Sequence, residues 1–327
     1  MSALLDVRNV TRRDFLWGSS ALTAAWVLAG CSSDRASAQD GRVVEDYFGP
    51  ITIPDSPERV IAGDDATLGS MLALGVKPVG AAVNVNSLPH HLGSQMQGIA
   101  NITAADGFDI EKALALDPDL FITYVGSEDD PWNENNYRRA QAAMATYGYM
   151  YNYVYLEHIH TNLNEVAKPL RKETEARALI AELDARIAAL RERVVAAGLT
   201  DKPVSVVRLS MDGDYSIRVG TSESIALRAL GIAQPDGQRN PEDFRIDLSP
   251  ENLTLLNSAD TLFVYVDDNA KGERDAVESS PLWPTLNAVR SGNVHFVSSG
   301  VWNSADIVGL GLILDDIERY HVTPAES

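Results

Sequence analysis

The chain has 327 residues, 45% of them hydrophobic and 22% charged, a length that suggests two domains around sizeable cores. Its 27 basic and 46 acidic residues give a formal charge of −19, which repels phosphate backbones and excludes nucleic acid as a natural partner. The single cysteine, Cys31, rules out an internal disulfide and any paired-cysteine redox or zinc motif.

The first stretch reads as an address. Arg12 and Arg13 stand in a Thr-Arg-Arg-x-Phe-Leu context that resembles the twin-arginine export signal. The apolar run that follows, 15–30, has about 16 residues, short of the roughly 20 that a spanning helix needs. It closes on Leu28-Ala29-Gly30-Cys31, which looks like a lipoprotein cleavage box. That resemblance implies cleavage before Cys31 and diacylation of its thiol. Residues 1–30 are then a signal peptide, and the small, polar 31–42 a lipidated tether. Without the first thirty residues the charge becomes 24 − 44 = −20. Each buried acyl methylene contributes about 0.8 kcal/mol of membrane affinity. The expected location is therefore extracytoplasmic, anchored to the cell membrane through Cys31.

Beyond the tether, short β-branched runs alternate with helical patterns. Strands are predicted at 60–62, 79–83, 120–125, 151–155, 204–209, 216–219, 261–266 and 294–298. Helices are predicted at 67–74, 110–116, 137–147, 161–172, 225–230 and 250–256, with Pro169 kinking or restarting the helix at 161–172. Such alternation argues for α/β units with largely parallel sheets. One element breaks it. From 174 to 197, Ala176, Ile180, Leu183, Ile187, Leu190 and Val194 recur in steps of four and three, one continuous helical stripe. At 1.5 Å per residue it spans roughly 36 Å, enough for a rigid connector between lobes. The expected organisation is a lobe at 43–165, a linking helix at 166–199 and a second lobe at 200–327. A coiled-coil arm would need more heptads and stronger flanking charge pairs, so a monomer is expected.

The two halves share patterns in the same order. A strand, a glycine and a helix closing on Leu-Gly-aliphatic occur at 60–76 and again at 217–232, aligning Gly63 with Gly220 and Gly75 with Gly231. A capped helix running into a strand occurs at 109–125 and at 249–266, with Asp109 and Ser249 as N-caps and Pro250 at the first helical position. Glu111 and Glu251 fall at matching places.

Three passages, PERVIAGDDATLGSMLALGVKPVG, DIEKALALDPDLFIT and PLWPTLNAVRSGNVHFV with the Val-Trp that follows, resemble the binding proteins of iron–siderophore, haem and cobalamin ABC importers. The resemblance runs from Pro57 to Arg319. It implies two Rossmann-like lobes joined by a single long α-helix, ligand in a shallow cleft between them, and little lobe movement. It also implies that Glu111 and Glu251 are read by arginines of the permease. No catalysis and no cofactor are implied; the expected cargo is a ferric siderophore, with haem and cobalamin as alternatives within the same resemblance.

In open α/β sheets ligands lie beyond the carboxyl ends of strands. That directs attention to Asp64, Asp65 and Thr67, then to Asn84, Asn86, His90 and His91, and to Tyr137, Arg138 and Arg139. Arginine forks suit chelate oxygens and aromatic faces suit flat apolar ones. The candidate ligand contacts are Trp132, Trp302, Arg208, Tyr124, Tyr215, Arg218, Arg245 and Asn303. The acidic chain tilts slightly toward a neutral or cationic hydroxamate.

Other readings stay open at this point. A zinc or manganese binding lipoprotein of the same architecture would draw on His90, His91, His158 and His160, the last two sharing a strand face. Haem could take Met211 or Tyr215 as an axial ligand, and cobalamin fits the same fold. For an exported enzyme, the sequence offers no complete serine-elbow, phosphate-loop or zinc-protease motif.

Overall fold

The computed structural model describes residues 41–84, 88–127, 130–304 and 306–323; the twin arginine, Cys31 and Asn86 lie outside the described residues. A hairpin of β1 (Gly41–Asp46) and β2 (Gly49–Pro54) opens the described chain. The first lobe then runs β3 (Val60–Ala62), α1 (Asp65–Ala73), β4 (Gly80–Ala81), α2 (His90–Gly93) and β5 (Ala100–Asn101). It continues through a small hairpin of β6 (Thr103–Ala104) and β7 (Gly107–Phe108), α3 (Ile110–Ala115), β8 (Leu120–Gly126), α4 (Glu134–Gln141) and β9 (Thr146–Met150). Two consecutive helices follow, α5 (Leu156–Leu170) and α6 (Glu173–Ala196). The second lobe comprises β10 (Val204–Leu209), β11 (Tyr215–Arg218), α7 (Ser222–Leu230), β12 (Arg245–Leu248), β13 (Thr261–Val266), α8 (Glu273–Glu278), α9 (Asn287–Arg290) and β14 (Val294–Val297). It ends with α10 (Ser299–Trp302) and α11 (Ile307–Ile317).

The strands form two separate five-stranded sheets, ordered β5-β4-β3-β8-β9 and β12-β11-β10-β13-β14. Both therefore place their first strand in the middle, with the next two on one side and the last two on the other. The first sheet is parallel throughout. In the second, β11 is antiparallel to both neighbours. The reason is local: Asp212 at φ +60 and Gly213 at φ +73 turn the chain back on itself after β10. The two sequence repeats fare differently as a result. The helix-into-strand pattern joins true counterparts, since β8 and β13 hold the same place in their sheets. The strand–glycine–helix pattern aligns β3 with β11, which do not.

Each sheet turns one face toward a common apolar cluster and the other toward a cluster of its own. Val60, Ile122, Val206 and Phe263 face the shared core, together with side chains of α1, α5, α6, α7 and α11. Helix α6, the expected connector, belongs to that layer. Its predicted stripe is buried at Ala176, Leu183, Ile187, Leu190 and Val194, with Ile180 half-buried. It packs on α5 from one side of the chain and on α7 and α11 from the other. Burying a Leu, Ile or Val side chain stabilises by roughly 1.5–3 kcal/mol, so α6 is held firmly against these helices.

Several predicted boundaries move. Residues 151–155 follow β9 and lead into α5, which starts at Leu156 and carries His158 and His160 on a helix instead of a strand. Pro169 lies in the last turn of that helix, which Arg171 at φ +56 terminates. The expected helix 137–147 is α4, ending at Gln141. In the second repeat the helix shrinks to a single 3-10 turn, Leu253–Leu256. Its N-cap position is Asn252, whose Oδ1 accepts from the Ser249 backbone N–H at 2.6 Å, so Ser249 is not the N-cap of this turn and Glu251 precedes it.

Candidate functional site

The carboxyl ends of both sheets open onto one cleft. Asn84 and Leu88, after β4, face Arg208 of β10 and Asp267 after β13 across a cavity of about 200 Å³. A second cavity of about 230 Å³ shares Asn84 and Leu88 and extends to Asp64, Asp65 and Tyr124. A third, about 40 Å³, joins Asp65 to Asn303 and Asp306. A larger cavity, about 1200 Å³, lies at the opposite, amino ends of second-lobe strands, around Lys202, Thr261 and Asn293. Only one lobe's sheet contributes to it, and it is not where sheets of this kind hold ligands.

The wall from the first lobe is organised by Asp64. As N-cap of α1 it accepts from the Thr67 backbone N–H at 2.6 Å. It also accepts from the Thr67 and Thr123 hydroxyls at 2.9 and 3.0 Å and from the Tyr124 N–H at 2.9 Å. Burial pushes its carboxyl up to about 6 despite these donors. Fixing Tyr124 in this way fixes a row of rings. Tyr124 stacks on Tyr151 at 5.0 Å and 23° and meets Trp132 at 5.9 Å. Tyr151 is followed by Tyr153 at 5.7 Å, and Tyr153 reaches Phe244 of the second lobe at 6.1 Å. Trp132 and Phe244, at the two ends, are each 47% exposed and present open apolar faces. Gly126 lets the chain return over Tyr124: its φ is +145°, and a Cβ there would meet the Asp130 carbonyl at 2.4 Å. Burial raises the Tyr124 and Tyr151 phenols above their ordinary range, so both remain neutral hydrogen-bond donors.

Charges that are already paired form the second lobe's wall. Arg208 donates through Nε and Nη2 to the two carboxylate oxygens of Asp267 at 3.0 and 2.8 Å, and the Ser210 hydroxyl donates to the same group at 2.9 Å. Between the lobes, His91 Nε2 lies 3.0 Å from Asp306, and the Tyr155 hydroxyl donates to Glu242 at 2.8 Å. Arg228 of α7 donates to the Val154 carbonyl. These ties, with the shared core, favour lobes that hold their relative position.

A family model described as periplasmic binding protein matches residues 60–299. The chain belongs to that family. Among curated relatives it is 31% identical to the probable siderophore-binding lipoprotein YfiY of Bacillus subtilis, covering 91% of this chain and 95% of that one. It is 28% identical to the iron(3+)-hydroxamate-binding protein FhuD of the same organism, over 84% and 87%. Among solved structures, Staphylococcus aureus SirA complexed with staphyloferrin B superposes with a TM-score of 0.72 at 24% identity, covering 85% of this chain and 97% of that one.

On this binding-protein frame the predicted contacts divide. Tyr124, Arg208 and Asn303 line the cleft cavities, and Trp132 packs against Tyr124 beside them. Trp302 does not: its ring is fully buried, stacked on Phe263 at 4.6 Å, with Nε1 donating to Asp316 at 2.8 Å. Tyr215 is likewise core, its hydroxyl donating to Glu273 at 2.6 Å, which removes it as a haem ligand. Arg218 is 5% exposed and paired with buried Glu223 at 3.3 Å, while the Phe244 ring covers its guanidinium at 4.7 Å. Arg245 sits at the outer edge of the second sheet, between Asp214 and Asp247. Arg138 pairs with Glu134 and lies over Phe48, and Arg139 binds the Phe108 carbonyl; neither lines the cleft cavities. His158 Nδ1 accepts from the Val154 and Tyr155 N–H groups, and His160 pairs with Asp184. No group of three or more metal-ligating side chains occurs among the described residues. Glu111 and Glu251 are both exposed.

Tyr151, Tyr153 and Phe244 were not anticipated as site residues. A signal for two of them exists: tyrosines occupy 147, 149, 151, 153 and 155, a two-residue period that reads as a strand but continues past the strand's end into the cleft. Asp267, the partner of Arg208, carries no such signal.

Proposed function

We propose that the protein captures a ferric siderophore outside the membrane and delivers it to an ABC-importer permease, as a monomer without chemistry of its own. The observation that carries this is the cleft lined from both lobes, by Tyr124 on one side and by Arg208 and Asn303 on the other, with the Trp132 ring against Tyr124, in a member of the periplasmic binding family. The names of its relatives, which include a siderophore-binding lipoprotein and an iron-hydroxamate-binding protein, support the cargo class. Export through the twin-arginine signal and a lipid anchor on Cys31 complete the reading, and no helix among the described residues is long and apolar enough to cross a membrane. Exposed Glu111 and Glu251, one per lobe, are the proposed permease contacts.

Titrating ferric siderophores, haem and cobalamin against intrinsic fluorescence tests the cargo. Siderophores should quench the Trp132 emission; quenching by haem or cobalamin alone would overturn the reading. Reversing Glu111 and Glu251 to arginine should abolish uptake and leave binding intact, whereas lost binding would remove the docking assignment.

A further inference from the structure

The walls of this cleft carry charge in an arrangement that selects among chelates. Five aspartates, Asp64, Asp65, Asp267, Asp268 and Asp306, line the three cavities, and Arg208 is the one lysine or arginine that does so among the described residues. Arg208 is itself held in a two-pronged pair by Asp267, so an anion arriving there must displace a carboxylate that is already in place. Arg218, the next arginine on the same sheet, is committed to Glu223 beneath Phe244. The remaining polar lining is neutral and includes Asn84, Asn269, Asn303 and the phenol of Tyr124. A low-dielectric cleft with this balance raises the local potential against anions and favours cations, and partly buried charges are little relieved by salt.

Resting on the siderophore reading above, we infer that the ligand is a chelate with no net negative charge: a ferric trihydroxamate, neutral at its iron centre, with neutral or cationic periphery. Three hydroxamates each bring one negative charge and balance iron(III). Three catecholates bring two each and leave a trianion. The neutral amides and phenol match hydroxamate carbonyl and N–O oxygens, and the rings of Trp132 and Phe244 match the methylene arms between them.

The test uses the purified full-length protein and three ferric complexes: ferrioxamine B, a monocation; ferrichrome, which is neutral; and ferric enterobactin, a trianion. At least one of the first two should bind at least about tenfold tighter than the trianion. In the double variant Asp65→Asn, Asp268→Asn, the ratio of trianion to cation affinity should rise at least about fivefold. Preference for the trianion, or an unchanged ratio in a variant that still binds, overturns the charge inference and leaves the siderophore reading standing. Failure of all three complexes, with haem or cobalamin bound instead, removes the siderophore reading itself.

Discussion

The first lobe meets the cleft with rings, the second with charges that are already neutralised. Trp132, Tyr124, Tyr151 and Tyr153 form a continuous aromatic row whose order is set by one buried carboxyl, Asp64. Across from it, Arg208 with Asp267 and Arg218 with Glu223 are closed pairs. The difference separates two jobs that a list of polar and aromatic residues runs together. Open ring faces contribute contact area to a ligand, while paired charges fix the electrostatic character of the wall and leave few donors to give.

The sharpest way to break that comparison is to open a pair on the second wall. Glu223→Ala leaves the guanidinium of Arg218 buried and uncompensated, and strips Tyr265 of its acceptor. Breaking a buried pair from one side costs about 3–5 kcal/mol, so chemical denaturation should show a loss of that size. A loss below about 1 kcal/mol would mean that Arg218 reaches water and is available to ligands after all.

On the first wall, Asp64 predicts a dependence on pH. Its carboxyl ionises near 3.8 when unfolded and near 6 when folded. The stability it contributes is complete below the lower value and is lost as pH rises through the higher one, about 3 kcal/mol in all. Asp64→Asn should remove this slope from the stability profile between about pH 4 and 7, whatever it does to absolute stability. A slope identical to that of the wild type would show that the four donors hold the carboxyl ionised and that burial does not dominate.

The smallest effect is expected at the exposed end of the row. Trp132→Ala should weaken chelate binding by about 1–2 kcal/mol, roughly a tenfold change, and leave the melting temperature unmoved because the ring is half exposed. Equal binding would confine the contact surface to Tyr124 and beyond.

Much of this was legible in the chain itself. The α6 stripe, its length and the two α/β lobes follow from periodicity, because an apolar repeat at helical spacing has few other ways to bury itself. The carboxyl-end rule points to the strand ends where Tyr124, Arg208 and Asn303 border the cleft cavities, because it depends on strand direction alone; it assigns none of them a ligand contact. Trp302 and Tyr215 failed because ring type does not say which face of an element is buried. Trp302 follows β14 on α10 but points at Phe263, in the core. Arg218 failed through a partner five residues away in sequence but reached only by a sharp return of the chain. The tyrosine row was hidden by its own regularity, which continues a strand pattern beyond the point where the strand stops.

The most direct measurement is X-ray diffraction at the iron absorption edge from crystals grown with a bound ferric chelate. The anomalous peak should fall between the two walls, within reach of Tyr124 and Trp132 on one side and Arg208 and Asn303 on the other. A peak in the large cavity around Lys202, Thr261 and Asn293, at the far end of the second sheet, would contradict it.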